Sequence, residues 1–277
     1  MVTRHETDPE GRMTLAEHLR ELRSRLVKAA IAVALFAVVG FVLRDHIIGW
    51  LTDSMFEAAA QVGVEDNTRA LYTKPTDALF VPMRIAMLTG FVFGAPVWIY
   101  QLWAFITPAL YRNEKRWALA VIAAAVPMFG AGVALGIWIM PIAWEFLLSF
   151  TPTDNISNHI IFEEYLNFFI RIVLVFGIGF LLPVFVVLLN AIGVLRHETL
   201  SSARRWVIVG IFVFAGVATP TGDPITLIAL AAPMWLLFEV AVLVCRVMDR
   251  RRAPVLSPDE ATPVEDLDKL GRWDDET

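Results

Sequence analysis

Carboxylates and guanidinium groups crowd the stretch LAEHLRELRSRLVKA, residues 15 to 29, directly before a long apolar run. Bases alone suffice to orient a membrane segment, so the acids Glu17 and Glu21 need another explanation. Leu15, Leu19, Leu22 and Leu26 recur at helical spacing, which predicts an amphipathic helix continuing into the apolar run. Glu17 stands four residues before Glu21, and Glu21 four before Arg25. In one reading these are i,i+4 pairs on an interfacial helix, worth ~0.2–0.5 kcal/mol each. In the other, Glu21 is offered to a ligand. A second acid, Glu114, lies in QLWAFITPALYRNEKRWA, residues 101 to 118, beside Trp103, Phe105, Tyr111 and Trp117. Taken alone, those aromatics are interface anchors and Glu114 is a solvated loop charge. Together the two stretches offer two carboxylates beside apolar residues at headgroup level. A peptide with paired arginines followed by an apolar stretch complements such a surface, because guanidinium–carboxylate contacts are planar and often bidentate. Exposed pairs are individually weak, so recognition requires both acids and burial of the apolar stretch.

Other chemistries lack their residues. None of the four lysines (Lys28, Lys74, Lys115, Lys269) follows a phosphate-cradling glycine loop, and HExxH and GxSxG motifs are absent. The five histidines lie outside the apolar runs, so no nucleophile–base pair or metal set is expected within a bilayer. Cys245 is the single cysteine, which excludes an internal disulfide and a multi-cysteine metal site. No enzyme activity, cofactor, metal or nucleic-acid partner is expected.

The elements that must position these acids are membrane helices. Of 277 residues, 57% are hydrophobic, and the mean hydropathy is +0.61. Asp, Glu, Lys and Arg are absent from 85–111, 117–144 and 172–195, each longer than the ~20 apolar residues needed to cross ~30 Å of hydrocarbon. Shorter uncharged runs cover 29–43, 206–222 and 224–238, the last continuing past Glu239 to Cys245. The reading is an all-α polytopic membrane protein with six transmembrane helices, the first, fifth and sixth being marginal in length. The fifth, from Trp206 to Ala218, is about 20 Å long, which predicts local thinning or tilting of neighbours. Pro82, Pro96, Pro127, Pro141, Pro183 and Pro233 fall inside the proposed spans and favour bent walls over a straight bundle.

Lysine and arginine sort by loop. Arg4, Arg12, Arg20, Arg23, Arg25 and Lys28 precede the first span; Arg112, Lys115 and Arg116 lie in the second connection; Arg196, Arg204 and Arg205 in the fourth; Arg246 and Arg250 to Arg252 after the last. The third and fifth connections have none, which places both termini in the cytoplasm. Three regions follow: an amino-terminal arm with its amphipathic helix (1–26), a transmembrane domain (27–247) and an acidic, disordered tail (248–277). The amino-terminal run lacks the pattern of a cleavable leader. On the outer side, 44–76 is expected to form a cap with some helix, and TPTDNISNHIIFEEY a polar loop. Arg84 and Arg171 lie within a turn or two of the outer ends of their spans, where snorkelling is the inexpensive solution. Glu239 is placed to pair with Arg246 within the bundle. Gly132 and Gly136 share a helix face that permits close packing.

The segments HLRELRSRL, PVWIYQLWAFITPALYRNEKR, FGIGFLLPVFVVLL and ATPTGDPITLIALAAPMWLLFE resemble, in order, the signature segments of the TatC family. TatC is the multispanning receptor subunit of the twin-arginine protein translocase, and the similarity runs from about Thr14 to Arg246. The resemblance implies a concave, glove-like wall of six helices with short fifth and sixth spans. It also implies binding of twin-arginine signal peptides of precursors exported already folded, single-span TatA- and TatB-like partners within a multimeric complex, and use of the proton gradient. The family's signal-binding acids fall on Glu21, with basic neighbour Arg23, and on Glu114, with Arg116 two residues on. Its loop aromatic, proline and tyrosine fall on Phe105, Pro108 and Tyr111. One departure concerns the fourth span, where many members carry a glutamate in a FEVP-like motif; here Leu181 stands in its place, within Phe180-Leu181-Leu182-Pro183. Leu227 replaces a family glutamine in the sixth span. Either Thr219, Asp223 and Thr226 supply the polar contact with a partner subunit, or the chain is a divergent paralogue. The competing reading is a small secondary transporter for solutes or ions, which predicts a midplane acid and internal repeats that the sequence lacks.

Overall fold

The computed structural model of the chain describes residues 15–64, 68–106, 114–150, 158–191, 193–195, 197–219 and 223–252. One unbroken helix, α1 (Leu15–Val42), carries the charged stretch straight into the first apolar run. It is followed by α2 (Arg44–Gln61), strand β1 (Thr68–Leu71), α3 (Asp77–Phe93), α4 (Ala95–Ile106), α5 (Glu114–Leu148) and strand β2 (Asn158–Ile161). The chain continues with α6 (Phe162–Ala191), α7 (His197–Ser202), α8 (Arg204–Ala218) and α9 (Pro224–Arg252). By length and composition α1, α5, α6 and α9 can each cross a membrane, and α3 with α4 makes a fifth candidate bent by 58°. The protein is therefore an integral membrane protein. Helix α8, with 15 residues, reaches about 22 Å, short of ~30 Å for a straight crossing.

The bend has a local cause. Gly94 ends α3 with its N–H on Gly90 O, and Pro96, without an N–H, opens α4. The indole of Trp98 donates to the carbonyl of Phe91 at 2.9 Å, bonding an acceptor at the point where the helix breaks. Pro96 thus marks a break, whereas Pro82, Pro127, Pro141, Pro183 and Pro233 lie inside α3, α5, α6 and α9.

Helix α6 is the centre of the fold, burying Tyr165, Leu166, Ile172, Val173, Phe176 and Leu188. Helix α5 approaches it closely because Gly132 has no side chain: a Cβ there would lie 2.4 Å from Phe176 O. Gly136, one turn on, faces Val173 and Phe176, as the shared face predicts. The α1–α3 contact rests on the same device, since a Cβ on Gly90 would lie 2.4 Å from Val33 O. Away from that seam α1 exposes Leu19, Leu26, Ile31, Leu35 and Val38, a surface suited to lipid.

Directly after α1, α2 realises the helix expected in 44–76 and closes with Gly63 at φ 70° and Val64 N–H on Ala59 O at 3.0 Å. The two strands pair in parallel, Thr68 opposite Asn158 through Leu71 opposite Ile161. This ribbon ties the approach to α3 to the approach to α6, where only a polar loop was expected. The tail beyond Arg252 lies outside the described residues.

Candidate functional site

Glu21 and Arg25 lie one turn apart on α1, and the guanidinium reaches Glu21 Oε1 from Nε at 2.9 Å and Nη2 at 2.5 Å. Each side chain is about three-quarters buried, Glu21 at 23% and Arg25 at 24% exposure. The other carboxylate oxygen, Oε2, is buried and has no hydrogen-bond partner among the described residues. One turn earlier, His18 stacks on Phe105 of α4, with ring centroids 4.4 Å apart and planes 21° from parallel. The stack fastens the acid-bearing turn of α1 to the far end of α4. Trp103, almost fully buried, anchors that end from the other side against Phe185 of α6, centroids 5.9 Å apart.

Between α1 and the α3–α4 bend lies an apolar groove of about 500 Å³, walled by Leu22, Leu26, Ala30, Trp98, Leu102 and Phe105 among others. Among the described residues, Arg25 is the one charged residue on its wall. Glu21, bonded to that arginine, puts a carboxylate next to an apolar groove, which suits a ligand with a cationic head and an apolar body.

The other predicted residues are placed as follows. Phe105 is half-buried in the stack with His18. Arg23 is exposed; two residues from Glu21 on a helix is about 200° around the axis, so it points away from that acid. Glu114 and Arg116 are placed by backbone alone, in the first turn of α5, with Glu114 nine residues beyond Phe105. Pro108 and Tyr111 lie outside the described residues.

Near the break between α8 and α9, Thr219, Asp223 and Thr226 are all buried. Asp223 caps α9: its Oδ1 accepts the Thr226 N–H at 2.8 Å, its Oδ2 meets the Thr226 hydroxyl, and Pro224 follows at the first helical position. The hydroxyl of Thr219 is buried without a hydrogen-bond partner among the described residues. Leu181 and Leu227 are half-buried and pack on the central core.

Two expectations are corrected. Arg84 does not stand alone and snorkel: its Nη1 lies 2.7 Å from Glu163 Oε1 and 2.9 Å from Asn167 Oδ1. Glu163 and Asn167 are one turn apart on α6 and face the cation together, which lowers its cost within apolar surroundings. Lys74 adds a looser contact to Glu163 at 3.8 Å. The cluster borders a second groove, about 560 Å³, between α3 and α6. Glu239 pairs with Arg204 of α8 at 2.7 Å rather than with Arg246, which is two turns, about 10 Å, further along its own helix. Arg171 is exposed. Sequence reading missed His18, Glu163 and Asn167. His18 carried a faint signal, sharing the Glu21 face one turn before it; the α3–α6 pairing has no local signature.

These features define a class: a polytopic helical membrane protein whose candidate binding site is a carboxylate paired with the arginine of an apolar groove. The model of the Sec-independent protein translocase protein (TatC) family matches residues 17–233. The TatC of Xylanimonas cellulosilytica is 41% identical over 88% of this chain and 88% of its own length. That of Rothia mucilaginosa is 34% identical over 99% of this chain and 97% of its own. A crystal structure of the twin-arginine translocase receptor TatC shares 30% identity at a TM-score of 0.67, covering 83% of this chain and 98% of that one. The chain belongs to the TatC family.

Proposed function

We propose that this chain is the membrane receptor and core scaffold of a twin-arginine translocase, binding the signal peptides of folded precursor proteins for export. The observation that carries the reading is Glu21, one turn from the His18–Phe105 stack and bonded to Arg25 on the wall of an apolar groove. A signal peptide's arginine pair engages Glu21 from α1 and Glu114 from the start of α5, and its apolar segment enters the groove between α1 and the α3–α4 bend. Arg23, Phe105, Pro108, Tyr111 and Arg116 complete the signal-peptide site in this reading. Such a receptor gains affinity from burial of the apolar segment and selectivity from planar guanidinium contacts.

In this reading the protein sits in the cytoplasmic membrane with both termini inside, as the distribution of Lys and Arg supports. Helix α8 is the short fifth crossing and α9 the sixth, and the six helices form a concave, glove-like wall. TatA- and TatB-like single-span subunits bind beside α8 and α9, near Thr219, Asp223 and Thr226, within a multimeric complex driven by the proton gradient. The chain itself performs no catalysis.

Complementation tests this. Expressed in a strain lacking its own TatC, the wild-type chain restores export of a folded twin-arginine cargo, and Leu181 is thereby shown to be tolerated. The Glu21→Ala, Glu114→Gln variant inserts but does not restore export. Export by the double variant at the wild-type level would refute the receptor role of these acids.

A further inference from the structure

The acid proposed to receive the cargo's arginine is already holding one of the chain's own. Arg25 reaches the same oxygen of Glu21 through two nitrogens. Its side chain forms part of the groove wall, where every other lining residue among those described is uncharged. Arg25 therefore has the chemistry, the contact and the location of the ligand's guanidinium. We propose that Arg25 is an internal competitor: it occupies Glu21 in the empty receptor and must swing out of the groove before a twin-arginine peptide can dock. This inference rests on the receptor reading and adds a regulatory contact to the same site.

The consequence follows from linkage. Only the fraction of receptors with Arg25 released is competent, so the observed Kd is the intrinsic Kd divided by that fraction. The fraction belongs to the empty receptor and does not depend on the ligand. Removing Arg25 should tighten every peptide that uses Glu21 by one common factor, without changing the preference for arginine over lysine. For a part-buried, charge-assisted i,i+4 pair that factor is about two- to ten-fold. If Arg25 were merely a helix-stabilising partner, its loss would move thermal stability and leave Kd alone. If it were part of the peptide cradle, its loss would weaken binding.

The test uses the full-length protein in lipid nanodiscs and two fluorescent signal peptides, one with the arginine pair and one with lysines in its place. In Arg25→Gln both Kd values should fall by the same factor, preserving their ratio. An unchanged or higher Kd for the arginine peptide, or a change in the ratio, overturns the proposal. Arg25→Met, compatible with the apolar wall, replaces the Gln variant if that one fails to insert and is judged identically. Glu21→Gln separates the two levels. If it loses binding while the Arg25 variants bind as wild type, only the competitor role falls; if it binds as wild type, the receptor reading falls with it.

Discussion

Replacing Gly132 with alanine places a methyl carbon 2.4 Å from the carbonyl oxygen of Phe176 and 2.9 Å from its carbonyl carbon. Both obstacles are backbone atoms of the central helix, so no rotamer change can make room. Relief requires α5 and α6 to separate by most of an ångström, and a gap of 0.5–1 Å forfeits about a quarter to a half of each dispersion contact along the seam. Overpacking of this kind costs about 1–3 kcal/mol. Gly130, two residues earlier on α5, meets nothing within 4 Å, and alanine there gains up to about 1 kcal/mol in helix propensity. The two variants should thus differ by about 2–4 kcal/mol, or roughly 5–15 °C in Tm for a chain of this size. Gly136→Ala, whose nearest atoms lie at 3.2–3.4 Å, should fall between them. The assay is built in: Cys245 is the single cysteine and is buried, so a thiol-reactive dye reports unfolding of each variant in detergent. Equal midpoints for Gly132→Ala and Gly130→Ala would refute glycine-dependent close packing of α5 on α6.

The Arg84–Glu163 pair should show coupling in a double-mutant cycle read by the same dye. Arg84→Leu and Glu163→Leu each lower Tm, and the double variant costs about 1 kcal/mol less than their sum, the pair being part-exposed; strict additivity would show that the pair does not form. Asp223→Ala should remove about 1 kcal/mol of cap stabilisation from α9, seen as faster hydrogen exchange at the amide of Thr226, with Asp223→Asn restoring much of the protection. Unchanged exchange in the alanine variant would contradict the cap.

How much of this was legible depends on range in sequence. The cores of α5 and α6 could be read directly, because long uncharged runs leave a chain few options other than crossing a bilayer. The same property hid the bend: 85–111 holds no charge, so nothing in the hydropathy marks a break, and only the Gly94–Pro96 signal points to it. Glycine spacing correctly announced the face of α5, but its partner Phe176 is set by tertiary packing. At the site, the Glu21–Arg25 spacing was readable and the pair is present. The contacts that position it were not, since His18 and Phe105 belong to different helices and neither shows periodicity toward the other. Arg84 illustrates the same limit, its partners lying on a helix about eighty residues away. The β1–β2 ribbon is four residues per strand, too short for alternation to stand out.

The central claim is that a signal peptide lies in the groove between α1 and the α3–α4 bend with its arginine pair on Glu21 and Glu114. A photo-crosslinking residue in place of Leu102, on the groove wall, should capture the apolar segment of a bound twin-arginine peptide. Capture should vanish in the Glu21→Gln, Glu114→Gln background and be absent from Trp138, exposed on α5 away from the groove. Equal capture from Leu102 and Trp138, or capture at Leu102 that survives loss of both acids, would contradict it.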